Sequence, residues 1–226
     1  MVRAWTSDDA HALCAATQRM DEAIHGLLDP HHGYGHPDLA GYLPWMGARY
    51  SRIGADLPLS VFRGEGMVLF ALARLLQPQV IAECYTGTGY AACWLALGAP
   101  EATVLTVDNY VEGGAGSEGL TTAQTVQHRL GLTNLTIMHG TVNDLTAELG
   151  RNGGLADVYL SDGPYGDAPP LSERAIVVRH DDTNGQAEDR RFTIIGGSHM
   201  SVMCPTTDDR DALMAEMAKL FPVVRP

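Results

Sequence analysis

Apolar positions along the chain follow two rhythms, and the change between them divides the sequence. Up to Leu76 the spacing is helical. Leu13, Ala16, Met20, Ile24 and Leu27 recur every three or four residues behind Ser7 and Asp8, two N-cap candidates, which predicts a helix from Ser7 to Leu28. Asp29-Pro30 stops it, because the residue before a proline is driven out of the helical region. A loop rich in His, Gly and Pro follows from His31 to Pro37, then a less regular helical stretch to Ile53. A second strong helix is expected from Glu65 to Leu76, with Met67, Leu69, Phe70, Leu72 and Leu75 apolar.

After Pro78 short apolar runs alternate with helical patterns. Val80 to Ala82, Thr103 to Val107, Leu135 to Met138, Val158 to Leu160 and Ala175 to Val178 read as strands. Ala91 to Leu97, Thr121 to Leu130 and Val142 to Leu149 read as helices between them, with Gly113 to Gly119 as a flexible loop. Two β-like segments, Phe192 to Ile195 and Met200 to Cys204, flank Gly196-Gly197, and a helix is expected from Asp208 to Leu220. Strands alternating with helices imply βαβ units and a parallel sheet. The expected class is α/β, with a helical cap over residues 1–60 and the sheet domain over residues 61–226.

Size and composition narrow the function classes. A chain of 226 residues suits one α/β domain, and 45% hydrophobic with 19% charged residues marks a compact globular protein. The net charge of −12 disfavours a long polynucleotide partner, since such binding draws on Lys and Arg against phosphates. A small-molecule substrate fits better, with a homodimer as a candidate assembly. The four cysteines (Cys14, Cys84, Cys93, Cys204) show no CxxC spacing and read as reduced thiols. With no apolar leader core in the first residues and no run near the ~20 apolar residues that span a bilayer, a cytoplasmic location is expected.

Chemistry concentrates at the strand ends. Three predicted strands end in Glu83, Asp108 and Asp162, and a fourth in His180-Asp181-Asp182. Ligands of a parallel sheet bind at those carboxyl ends. Carboxylates converging there repel one another without serving a core. The first turn, Glu83-Cys84-Tyr85-Thr86-Gly87-Thr88-Gly89-Tyr90, lets backbone approach a ligand closely. Asp108 follows Gly89 by 19 residues, the spacing at which a second-strand carboxylate reaches ribose hydroxyls. The full GxGxxG phosphate fingerprint is missing, which favours a ligand without a pyrophosphate.

These segments resemble the first two motifs of class I S-adenosylmethionine-dependent methyltransferases. The similarity continues through Asn134 to Gly140 and Asp157 to Gly163, covering residues 60 to 182, and is nearest in flavour to the small-molecule O-methyltransferases. It implies a Rossmann-like doubly wound sheet and S-adenosylmethionine as cofactor. By that resemblance Glu83, Tyr85, Thr86, Gly87 and Gly89 would hold the amino-acid end, Asp108 and Asn109 the ribose, and Thr141 and Val142 the adenine, with Asp162 close by. The segment Ile176 to Gly185 is similar to the cephalosporin-hydroxylase-like group, where acidic residues at the fourth and fifth strand ends bind magnesium. That makes Asp162, Asp181 and Asp182 the candidate Mg²⁺ ligands. Asp162 and His180 become the catalytic candidates, His180 as a general base.

The sequence departs from the family at two places. Tyr85 stands where the family turn carries its first glycine, and residues 163–174, with Pro164, Pro169 and Pro170, form a crossover at the minimum length for a parallel connection. These keep two alternatives open: non-methyl chemistry that releases methylthioadenosine by aminocarboxypropyl transfer or cyclisation, and a non-catalytic cofactor sensor. Asp162-Gly163-Pro164-Tyr165 resembles the DPPY motif of DNA adenine methyltransferases imperfectly, with Gly at its second position. His31, His32 and His36 lack a metal-ligand spacing, and Trp45, Met46 and Tyr50 fit either a pocket lining or a core stripe.

Overall fold

The computed structural model describes residues 2–24, 63–110, 116–161, 168–180, 190–195 and 199–224. The expectations for His31 to Pro37, Trp45, Met46, Tyr50, Asp162, Asp181 and Asp182 lie outside these residues. In chain order the elements are α1 (Ser7–Ile24), α2 (Arg63–Leu76), β1 (Val80–Cys84), α3 (Tyr90–Gly98), β2 (Thr103–Asp108), α4 (Gly116–Leu130), β3 (Leu135–His139), α5 (Val142–Arg151), β4 (Ala156–Ser161), β5 (Leu171–His180), β6 (Arg191–Ile195), β7 (His199–Met203), α6 (Thr207–Met217) and β8 (Val223–Val224).

The strands form one sheet of eight in the order β3-β2-β1-β4-β5-β7-β6-β8. The run from β3 to β5 is parallel, whereas β7 pairs antiparallel with both β5 and β6. The expected doubly wound, mostly parallel α/β sheet is present.

Alternation along the strands sends side chains to two faces. On one face Ile81, Val104, Val158, Leu160, Ile176, Val178, Phe192 and Val202 pack with α1, α2, α3 and α6 in a single core. On the other, Val80, Ala82, Cys84, Leu105, Val107, Ala156 and Tyr159 pack against Leu145 and Leu149 of α5. Cys84, Cys93 and Cys204 are buried free thiols, and burial pushes the Cys204 thiol up to about 12.

Several boundaries differ from the sequence reading. The first helix is capped by Thr6, one residue earlier than expected, because Thr6 and Asp9 form a reciprocal box. Thr6 N–H donates to Asp9 Oδ2 at 2.9 Å, and Asp9 N–H to Thr6 Oγ1 at 3.3 Å. Helix α4 begins at Gly116, so part of the expected glycine loop is helical. Helix α6 ends at Met217, short of Leu220, as its chain tightens into a turn with Leu220 N–H on Met217 O. Strand β5 starts at Leu171, four residues before Ala175, and an irregularity in register separates the Ala156–Leu171 pair from Val158–Ile176.

Candidate active site

Strand β1 runs into a turn with three left-handed residues in five positions: Tyr85 (φ 70°), Gly87 (φ 54°) and Gly89 (φ 76°). A Cβ on Gly89 would stand 2.7 Å from Ala123 Cβ, so glycine both permits the turn and lets α4 close on it. Backbone bonds pin the loop, with Tyr85 N–H on Val107 O (2.9 Å) and Gly89 N–H on Thr86 O (2.8 Å). Helix α3 starts directly behind it, its first turn free of acidic residues. The positive end of that helix therefore faces the turn without a competing charge.

Asp108 terminates β2 beside this turn. Its Oδ2 accepts from Gly87 N–H and its Oδ1 from Tyr110 N–H, each at 2.9 Å. A carboxylate has about four acceptor positions, so two remain for a ligand. Asn109 lies next to it, exposed, its carbonyl 2.9 Å from His139 Nε2 at the end of β3. The His139 ring stands edge-on to Tyr110, centroids 5.8 Å apart. Gly140 N–H donates to Asp108 O at 2.9 Å, which brings the N-terminus of α5 to the same edge. Thr141 caps that helix through a box with Asp144, Thr141 N–H donating to Asp144 Oδ2 at 2.8 Å, and Val142 follows.

Glu83 sits below the turn. It is wholly buried, and its Oε2 accepts from the Thr106 hydroxyl at 2.5 Å, while the Thr86 and Thr106 hydroxyls share a 2.6 Å bond. Burial first, then the charges of Asp108 and Glu83, raise the Tyr110 hydroxyl well above its ordinary value, with Thr86 opposing. Burial and Glu83 also raise the Cys93 thiol. Thr88 Oγ1, buried in the same turn, has no hydrogen-bond partner among the described residues.

The structure thus gathers Glu83, Tyr85, Thr86, Gly87, Gly89, Asp108, Asn109, Thr141 and Val142 along the carboxyl edge of β1, β2 and β3. His180 ends β5 on the far side of β4. Asp162, Asp181 and Asp182 lie outside the described residues, and among the described residues no three His, Cys, Asp or Glu side chains are grouped to hold a metal ion. Three residues escaped the sequence reading. Tyr110 and His139 extend the edge beside Asp108, and their only sequence signal is their place at strand ends. Glu65 meets His180 from α2, which no local pattern announces.

No protein-family model matches the chain, and no curated protein matches its sequence. Solved structures do resemble it. The O-methyltransferase TomG from Streptomyces achromogenes, determined with SAM, superposes with a TM-score of 0.51 at 19% identity, over 88% of this chain and 96% of that one. The chain has a methyltransferase fold. An O-methyltransferase from Bacillus cereus in complex with SAH, at 15% identity and a TM-score of 0.49, covers 88% of this chain and 98% of its own. Among the described residues, no helix of this methyltransferase-like fold is long and apolar enough to cross a membrane.

Proposed function

We propose that this protein transfers the methyl group of S-adenosylmethionine to a hydroxyl of a small molecule. The observation that carries the reading is the left-handed turn after β1 facing Asp108, whose carboxylate keeps acceptor capacity at the carboxyl edge of the sheet. Its residues fit the cofactor. Glycines at 87 and 89 permit the left-handed turn, Thr88 Oγ1 offers a buried polar atom, and the Asp108 carboxylate keeps acceptor capacity. When bound, the cofactor supplies a methyl group on a positively charged sulfur.

The turn residues Tyr85, Thr86, Gly87 and Gly89 would hold its amino-acid end, with α3's N-terminus favouring the carboxylate and Glu83 acting from beneath. Asp108 and Asn109 would hold the ribose, and Thr141 with Val142 would border the adenine. His180, at the end of β5, and Asp162, outside the described residues, stay the catalytic candidates of the sequence reading. Most of the rate then comes from alignment, so no nucleophilic side chain is needed. The Mg²⁺ reading of Asp162, Asp181 and Asp182 rests on the sequence resemblance and enters no step here.

Thermal unfolding with S-adenosylmethionine tests the binding. A ligand at ~100 times its Kd stabilises by about 2.7 kcal/mol, and a dose-dependent rise in Tm is expected. Nucleoside analysis after incubation with hydroxylated acceptors tests the chemistry. S-adenosylhomocysteine is the expected product. Methylthioadenosine would point to attack at another carbon, and binding without turnover to a sensor.

A further inference from the structure

Strands β2 and β3 run parallel, and their register sets His139 opposite Asp108. The two side chains therefore leave the sheet on one face, at its carboxyl edge. His139 is exposed, yet its ring is held from two sides. Its Nε2 lies 2.9 Å from Asn109 O, and the Tyr110 ring meets it edge-on at 5.8 Å and 77°. A carbonyl oxygen only accepts hydrogen bonds, so the imidazole must donate from Nε2. In the neutral ring this makes Nδ1 the acceptor nitrogen. Among the described residues Nδ1 has no hydrogen-bond partner. The ring is thus fixed in tautomer and in plane, one strand beyond Asp108.

The residues expected to border the base are already engaged or apolar. Val142 offers no polar side-chain atom, and Thr141 commits its N–H (2.8 Å) and its hydroxyl (2.9 Å) to Asp144 Oδ2. Adenine carries an exocyclic amine, a donor, where hypoxanthine carries a carbonyl oxygen. We propose that His139 is the specificity-determining residue for the base of the cofactor, its Nδ1 accepting a hydrogen bond from the exocyclic amine. The inference rests on the S-adenosylmethionine reading for the identity of the ligand. No proton changes hands. The ring selects by setting an acceptor opposite a donor, and a carbonyl in that place would set lone pair against lone pair. Anchoring through the backbone carbonyl of Asn109 holds the acceptor ready before any ligand arrives. A ring that only tied the end of β3 to the chain after β2 would serve every base alike.

Two measurements separate these cases. Calorimetric titration at about pH 8, where imidazole is neutral, compares S-adenosylhomocysteine with S-inosylhomocysteine, in which a carbonyl oxygen replaces the amine. The wild type should prefer the amine by about tenfold or more. In His139→Phe the affinity for S-adenosylhomocysteine should fall by about tenfold, and that for S-inosylhomocysteine by less than about twofold. The second readout is NMR of ¹⁵N-labelled histidine, with His139→Phe assigning the signals. A single Nε2–H tautomer is expected in the ligand-free wild type, its Nδ1 signal moving as S-adenosylhomocysteine is added. An Nδ1–H tautomer, an Nδ1 signal unmoved at saturation, or equal losses for the two ligands would overturn the proposal. Should His139→Phe fail to fold, His139→Gln assigns the signals and the wild-type spectrum decides. No binding of S-adenosylhomocysteine by the wild type would overturn the cofactor reading and this proposal with it. Binding with no preference between the two bases overturns the role of His139 alone.

Discussion

On the β3–β2–β1 side of the sheet every parallel step is made by a helix: α3 links β1 to β2, α4 links β2 to β3, and α5 leads from β3 to β4. On the other side β4 reaches its parallel neighbour β5 in nine residues, 162–170, and β5, β7 and β6 continue as an antiparallel ladder. Helical crossovers make the first half self-defining, because each strand end, turn and helix start is set by a few adjacent residues. The second half depends on distant pairs. Glu65 of α2 meets His180 at the end of β5 across 115 positions, while Arg191 of β6 bonds Ser201 of β7 within the ladder. The contrast teaches where the proposed chemistry can vary: the β3–β2–β1 half, proposed to hold the cofactor, is built to a local plan, whereas the β5–β7–β6 half, proposed to face the acceptor, lacks helical crossovers.

The largest effect that would break this division is expected at Asp108. In Asp108→Ala the ligand loses its carboxylate, and Gly87 and Tyr110 N–H lose their acceptor. Cofactor affinity should fall by more than about a hundredfold, two hydrogen bonds to a charged group at ~1.5–3 kcal/mol each being the relevant scale. Calorimetric titration with S-adenosylmethionine checks it, and unchanged affinity would remove Asp108 from the site.

Next comes Gly66→Ala, whose Cβ would collide with the Trp94 ring. Overpacking of this kind costs ~1–3 kcal/mol. If the halves are coupled through α2, chemical denaturation should show the loss while cofactor affinity holds.

The cofactor half is largely legible in the amino-acid sequence. Its strands are short buried runs, the glycines of the turn punctuate them, and Asp108 falls at a telling distance from Gly89. What is hidden, in either half, has physical causes. Strand β5 begins at Leu171 in a stretch where Ser172 is half-buried and Glu173 and Arg174 are exposed, and the register shift beside Ala156 removes the alternation that would mark it. Two glycines, Gly116 and Gly119, disguise the start of α4. The burial of Glu83 under the turn depends on Thr106 from a neighbouring strand, and the Glu65–His180 pair joins residues that only the finished sheet brings together.

A third test concerns how α1 is attached. Asp9 is nearly buried, with Arg3 Nη2 at 2.5 Å and Arg74 Nε at 3.1 Å from its Oδ1. The Arg3 hydrogen bond, more than any other cause, holds its carboxyl far below the usual range. A depressed folded-state pKa means the stabilisation is complete above the unfolded value near 4 and is lost as pH falls below it. Asp9→Asn should cost about 2 kcal/mol at pH 7 and flatten the acid limb of a stability–pH curve. An unaltered acid limb would show that the cluster adds nothing.

The smallest effect is expected at Tyr85, a bulky residue in the left-handed region. Tyr85→Gly relieves ~1 kcal/mol of backbone strain, offset in part by glycine's greater unfolded freedom, so Tm should stay level or rise slightly. A change in cofactor or acceptor KM without loss of Tm would assign the strain to function. If instead Tm drops by several degrees, the ring is a structural support.

One internal arrangement has a practical consequence. Tyr90, directly behind the turn, stands edge-on to Trp94 at 6.0 Å, and Trp94 edge-on to Phe70 of α2 at 6.3 Å. The indole is fully shielded from water. It is an internal chromophore placed between the two halves. Its burial predicts short-wavelength emission, and with Trp5 and Trp45 replaced by Phe it would serve as an optical gauge that senses the turn from one side and the seating of α2 from the other.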